Sequence, residues 1–245
     1  MQPLTVEIWS DIVCPWCYIG EHRFESALAR FAHRDQVKVI RRSFQLDPST
    51  PRNSQERVID MLSSKYGVSP AEASRMEQRV AGLAAAEGLP MRSDRFVANT
   101  FDAHRLLHLA AAHGRQDELM ALLFAGHFAN QQAIGDQATL LQIATEAGLD
   151  PAEVQRVLGS DAYADAVRAD LQRAAMFGIR GVPFFVLDEQ LGVSGGQEQA
   201  VFLNALEQAW AAANPLKLID TSTDDSMICE DGSCAVAPAN ISARR

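Results

Sequence analysis

The chain has 245 residues, 47% of them hydrophobic, enough for one large core or for a small α/β domain carrying a second, helical one. Its formal net charge of -9 disfavours a general phosphate-binding surface, which needs clustered Lys and Arg, so nucleic acid is not an expected partner. The amino end has no basic segment leading into an apolar run and a small-residue cleavage site, and no later stretch reaches the length of a membrane span, so a soluble, cytoplasmic protein is expected.

Leu4 to Trp9 alternates β-branched and polar residues and is predicted as a strand, after which Ser10-Asp11 turns the chain into a helix. Pro15 suits the first turn of that helix, because the amide it lacks would be unpaired there anyway. Ile19, Phe24, Leu28 and Phe31 give it an apolar stripe, and Val37 to Phe44 follows as a second strand, completing a βαβ opening. From about Arg52 to Gly178 the composition shifts to Ala, Leu, Glu, Gln and Arg. Spacings such as Met76, Val80 and Leu83, with glycine punctuation, predict a run of helices whose starts include Asn99-Thr100 and Asp150-Pro151. Gly181 to Leu187 and Leu191 to Gly195 predict a hairpin, and Gln197 to Trp210 a last helix burying Val201, Leu203 or Phe202, and Leu206. The expected organisation is a discontinuous α/β domain (1–50 and 179–213), a helical insertion (51–178) and a tail (214–245) carrying Cys229 and Cys234.

In a reducing compartment, paired cysteines usually serve metal binding or redox chemistry. Cys14-Pro15-Trp16-Cys17 opens the first helix, where unpaired amides and the positive end of the dipole favour an anion. A thiolate attacks a disulfide sulfur far better than a thiol does, so Cys14 is placed for nucleophilic chemistry and Cys17, one turn later, can resolve a mixed disulfide. Zinc knuckles use the same spacing, but they need further ligands at fitting distances. Asp11, three residues before Cys14, can tune the thiol or accept a proton, or simply cap local backbone. His104 and His108 share a helix face without the Glu of zinc peptidases, and are expected to be structural or surface residues, while His22 is expected to be a packing residue. Gly192 to Gly196 lacks the Lys-Ser/Thr of a phosphate loop.

The segments VEIWSDIVCPWCYIG, FDAHRLLHLAAAHG, LLFAGHFANQQAIGD and GIRGVPFFVLDEQLGVSGGQ resemble, in order, the DsbA-like thioredoxin family, and within it the cytoplasmic FrnE branch of disulfide oxidoreductases. That resemblance implies an α/β thioredoxin fold (βαβ...ββα) interrupted by a large all-helical insertion. It further implies Cys14 as nucleophile, Cys17 as resolving thiol, and a cis Val182-Pro183 peptide facing them. A cis X-Pro bond leaves the Val182 backbone free for strand-like bonds to an extended substrate, although an edge-strand proline without any such role also fits Pro183. The expected partners are proteins bearing thiols or disulfides, with glutathione or thioredoxin-type reductants, and the expected chemistry uses a redox-active disulfide without a cofactor.

This chain departs from secreted DsbA proteins in placing Trp16 where they usually carry His between the cysteines, so their potential does not transfer; Trp16 offers an apolar contact to substrate instead. Kappa-type glutathione transferases and hydroxychromene carboxylate isomerases resemble the chain in fold but carry Ser at the Cys14 position, and two thiols favour dithiol exchange. Cys229 and Cys234, with four residues including Gly232 between them, resemble a further element of the FrnE branch. An auxiliary redox relay to Cys14 and Cys17, a tail pair without function, and a zinc site built from all four thiolates stay open, as does a chaperone-like binding module.

Overall fold

The computed structural model describes residues 2–52 and 54–215. Among the described residues, four strands form one mixed sheet in the order β2-β1-β3-β4: β1 (Leu4–Ser10), β2 (Val37–Ser43), β3 (Phe184–Leu187) and β4 (Leu191–Ser194). β1 runs parallel to β2, Leu4 facing Val37, and antiparallel to β3, Ile8 facing Phe185. β3 begins three residues later than Gly181, because Pro183 has no amide to give to the ladder.

Period-two alternation puts Leu4, Val6 and Ile8 on one face of β1, and α1 (Pro15–Arg30) and α9 (Gln199–Ala213) cover that face. Phe24 of α1 packs between Phe185 and Phe202, with ring centroids 5.3 and 5.8 Å away. α9 buries Phe202, Ala205, Leu206, Ala209 and Trp210, a stripe at i, i+3, i+4, i+7 and i+8, and Val201, expected inside, falls off that stripe and is exposed. On the opposite face, Trp9 packs with Ala174, Ile179 and Val186.

Between β2 and β3 the chain forms α2 (Val58–Tyr66), α3 (Pro70–Ala86), α4 (Phe101–Ala112), α5 (Gln116–Phe128), α6 (Gln137–Glu146), α7 (Pro151–Leu158) and α8 (Ala164–Met176). Asp150 caps α7 as its sequence position predicts, accepting the Ala152 and Glu153 amides. At α4 the capping differs: Thr100 holds the cap position without a side-chain bond, and Asn99 Oδ1 instead accepts the Phe101 amide. The expected apolar stripe of α3 is not its core face. Ala73, Glu77 and Ala84 are buried, while Met76 and Leu83 are exposed and Val80 lines a cleft. The βαβ and ββα halves flank this helical block, the arrangement of a thioredoxin-type fold with a helical insertion, and no described helix is long and apolar enough to cross a membrane.

Glu77 is buried because Arg95 meets it. Arg95 also donates to His127 Nε2 at 3.0 Å, and its guanidinium lies 4.6 Å over the Phe128 ring. Burial, with the Arg95 charge beside it, pushes His127 down to about 3. The unfolded chain takes up that proton near pH 6.5 and the folded chain refuses it, so this site removes stability as pH falls through that window, by at most about 1.4 kcal/mol per pH unit. His127→Gln is expected to flatten the acid-side decline in unfolding free energy, measured by urea denaturation between about pH 6.5 and 4. Equal slopes in the two proteins would mean that His127 gains its proton within the fold.

Candidate active site

Cys14 is the N-cap residue of α1 in extended conformation, with Pro15 at the first helical position and no acidic side chain in the first turn. Its carbonyl accepts the amides of Cys17 (3.0 Å) and Tyr18 (3.2 Å), so the helix starts at the sulfur-bearing residue itself. This local geometry follows from Pro15, which fixes the entry angle and removes one unpaired donor.

The two sulfurs occupy unlike environments. Cys14 keeps 4% of its surface and borders a cleft, whereas Cys17 has none. The hydrogen bond from the Cys17 thiol holds the Cys14 pKa below the ordinary thiol value, against the opposing cost of burial, and the Cys17 and Trp16 amides assist it. Burial pushes the Cys17 thiol well up, and a charge on neighbouring Cys14 pushes the same way. Glu21, one turn further along α1, also opposes a charge on Cys17. It is buried, accepts from Ser10 Oγ, and pairs with Arg41 Nε at 2.9 Å.

Val182 and Pro183 immediately precede β3. Their peptide is cis, and the Val182 carbonyl oxygen lies 3.6 Å from Cys14 Sγ. The Pro183 carbonyl accepts the Gly195 amide at 2.8 Å, and Arg23 of α1 reaches the Gly196 carbonyl at 3.0 Å, so one loop is tied to the other and both to the helix. Two glycines permit that approach: a Cβ on Gly20 would lie 2.9 Å from Pro183 Cγ and 3.0 Å from Gly196 Cα.

Asp11 lies wholly inside. Its Oδ2 accepts the Leu46 amide at 2.8 Å and its Oδ1 lies 3.3 Å from His104 Nε2, so it ties distant segments rather than capping local backbone. Trp16 is 40% exposed at the rim of a cleft of about 720 Å³, whose apolar wall includes Leu46, Met61, Tyr66, Met76 and Phe96. A larger hollow of about 1190 Å³ sits beside the amino end of β1, away from the cysteines, and the ion-paired Glu7, Arg42, Arg173 and Glu189 line it. Cys229 and Cys234 lie outside the described residues, and among those described no three His, Cys, Asp or Glu side chains are grouped to hold a metal.

Sequence reasoning passed over the cleft wall and the part His104 plays beside Asp11. The signal for the second was the polar quartet Asp102, His104, Arg105 and His108 in an otherwise apolar helix, too many to share one solvated face. Met76 and Val80 were legible as a stripe but not as a cleft wall.

Residues 5–207 match the profile of the DSBA-like thioredoxin domain. A probable DsbA oxidoreductase from Streptomyces coelicolor is 49% identical and superimposes with a TM-score of 0.84, over 96% of this chain and all (100%) of its own. The cytosolic disulfide reductase DsbM from Pseudomonas aeruginosa, solved with GSH, is 15% identical with a TM-score of 0.57 over 83% of this chain and 98% of its own, a likeness of fold. The uncharacterized protein YwbO of Bacillus subtilis is 26% identical over 204 residues, 82% of this chain and 94% of its own.

The contact of Gly20 with Pro183 and Gly196 gives a direct test of how tightly this frame is packed. Gly20→Ala is expected to lower unfolding free energy by about 1–3 kcal/mol in urea denaturation, because the atoms it meets belong to a ring and to backbone. Unchanged stability would mean that the loops shift freely.

Proposed function

The chain belongs to the DSBA-like thioredoxin domain family, and from that premise we propose that it is a cytoplasmic thiol–disulfide oxidoreductase of the FrnE type acting on protein disulfides through Cys14 and Cys17. The carrying observation is the asymmetry of the sulfurs: Cys14 at a helix start on the cleft, with a lowered pKa, and Cys17 fully enclosed behind it, with a raised one. An attacking thiol must be ionised and reachable, while a resolving thiol need only reach its neighbour.

In the reducing direction, the Cys14 thiolate attacks one sulfur of a substrate disulfide. The substrate S–S bond breaks, its second sulfur leaves as a thiolate, and a mixed disulfide forms on Cys14. Cys17 then gives up its proton and attacks Cys14 Sγ, which releases the first substrate sulfur and leaves a Cys14–Cys17 disulfide. Two electrons have passed to the substrate, and two equivalents of an external thiol restore the dithiol. The same steps in reverse oxidise a substrate dithiol, and isomerisation needs only the first step and its reversal.

The cleft supports a polypeptide as substrate. Its volume and its wall of Trp16, Leu46, Met61, Tyr66, Met76 and Phe96 fit a chain segment with large apolar side chains, and the Val182 carbonyl beside Cys14 offers that segment a backbone acceptor. The glutathione in the Pseudomonas aeruginosa structure supports a monothiol as the external reductant. A transferase or isomerase of small molecules would have no use for a second thiol enclosed beside the first. Cys229 and Cys234 are assigned, on sequence alone, to an auxiliary redox pair.

Cys14→Ser is expected to reduce turnover of a protein disulfide to the uncatalysed rate, and Cys17→Ser to trap covalent enzyme–substrate adducts visible on non-reducing gels. Turnover by Cys14→Ser would remove this function. Trp16→Ala is expected to raise KM for a peptide disulfide about tenfold, equivalent to about 1.4 kcal/mol of lost apolar contact, with little change in the intrinsic reactivity of Cys14.

A further inference from the structure

α4 presents two histidines four residues apart, and each meets a buried acid. His108 Nε2 lies 3.0 Å from Asp170 Oδ2 and 3.2 Å from Ser43 Oγ, an arrangement that ties α4 to α8 and β2. His104 turns to the dithiol instead. Its Nε2 lies 3.3 Å from Asp11 Oδ1, and both residues are 1% exposed.

The tautomer of His104 follows from what surrounds it. Nδ1 is buried with no hydrogen-bond partner among the described residues, and an enclosed N–H without an acceptor costs more than an idle lone pair. The proton therefore sits on Nε2 and is donated to the Asp11 carboxylate.

Asp11 touches both cysteines through its own peptide groups. Its carbonyl accepts the Cys14 amide at 3.0 Å, and its amide donates to Cys17 Sγ at 3.4 Å. Asp11 borders the same cleft as Cys14, and its buried carboxylate charge opposes ionisation of Cys14. Whatever spreads or offsets that charge favours the thiolate.

We propose that His104 is a positioning residue for the dithiol: donating from Nε2, it fixes the Asp11 carboxylate and offsets its charge, so that the Cys14 thiolate can form beside it. This role rests on the dithiol function given above, but it is read from ionisation and so stands or falls separately from any substrate. The other charged groups about the site are engaged elsewhere or stand at the cleft wall. Glu21 is paired with Arg41; Glu77 and His127 are joined through Arg95; Asp102 is held by Arg105 and Arg52. Lys65, Asp47 and Glu56 line the cleft.

The test is the pH dependence of Cys14 alkylation by iodoacetamide, followed peptide by peptide by mass spectrometry in the full-length reduced protein. His104→Phe is expected to raise the midpoint by about one pH unit, so that alkylation below the midpoint slows about tenfold. His104→Gln, which keeps an N–H donor, should restore at least half of the shift. Asp11→Asn should lower the midpoint, and adding His104→Phe to it should change nothing further. A wild-type midpoint in His104→Phe, or an equal shift with and without the Asp11 carboxylate, overturns the assignment. Should His104→Phe fail to fold, His104→Leu takes its place with the same expected shift, and a midpoint unchanged or raised in Asp11→Asn overturns the assignment as well.

Discussion

The structure turns on an anion that must be held at the edge of an apolar core. Cys14 belongs to the same buried cluster as Leu106, Leu107, Phe124 and Phe128, surroundings that by themselves keep a thiol protonated. Ionisation there requires compensation at close range, and the fold supplies it from one short segment: the Cys17 thiol, the Trp16 and Cys17 amides, and a first helical turn free of acidic side chains. The same burial that opposes a charge on Cys14 opposes one on Cys17 more strongly. Two thiols a single turn apart thereby acquire opposite tendencies without any metal or cofactor being invoked.

That segment works only if its neighbours hold still. α1 is pinned by three close contacts of different kinds. Gly20 lies against Pro183 and Gly196, Arg23 reaches from the helix to the Gly196 carbonyl, and Tyr18 stacks on Phe128 with centroids 4.8 Å apart and planes 3° from parallel. The first two fasten the dithiol to the sheet side and the third to the helical block. Enclosed ion pairs add little net stability, yet removing one partner is costly, so the pairs of Arg23 with Glu87, Arg41 with Glu21 and Arg95 with Glu77 tie their elements together as intact units.

Much of this was legible in the sequence because it rests on local rules. Pro15 after Cys14, the alternation of Leu4, Val6 and Ile8, and Asp150 before Pro151 each state their conformation within a few residues. The facing of Val182 and Cys14, 168 positions apart, came only through family resemblance. What misled was amphipathicity in the helical block. Met76, Val80 and Leu83 have core spacing, but Met76 and Val80 lie on the wall of an open cleft, Leu83 is exposed, and the helix buries Glu77 because its partner Arg95 comes from elsewhere. His104 was unreadable for a related reason: its partner, Asp11, is 93 residues away.

The helical block is therefore more than an insertion tolerated by the sheet. It contributes α5 to the stack against Tyr18, α2 and α3 to the cleft wall, and α4 to the contact with Asp11. Each of these reaches the dithiol on the side that the sheet leaves open. A thioredoxin-type βαβ and ββα frame alone can aim Cys14 at the Val182 loop, but it cannot enclose Asp11 or give an apolar segment a surface to lie against. Loosening of the helical block should therefore be felt at the sulfurs before it is felt in the sheet, because Cys14 and Cys17 pack into the helical cluster while Leu4, Val6 and Ile8 pack into another.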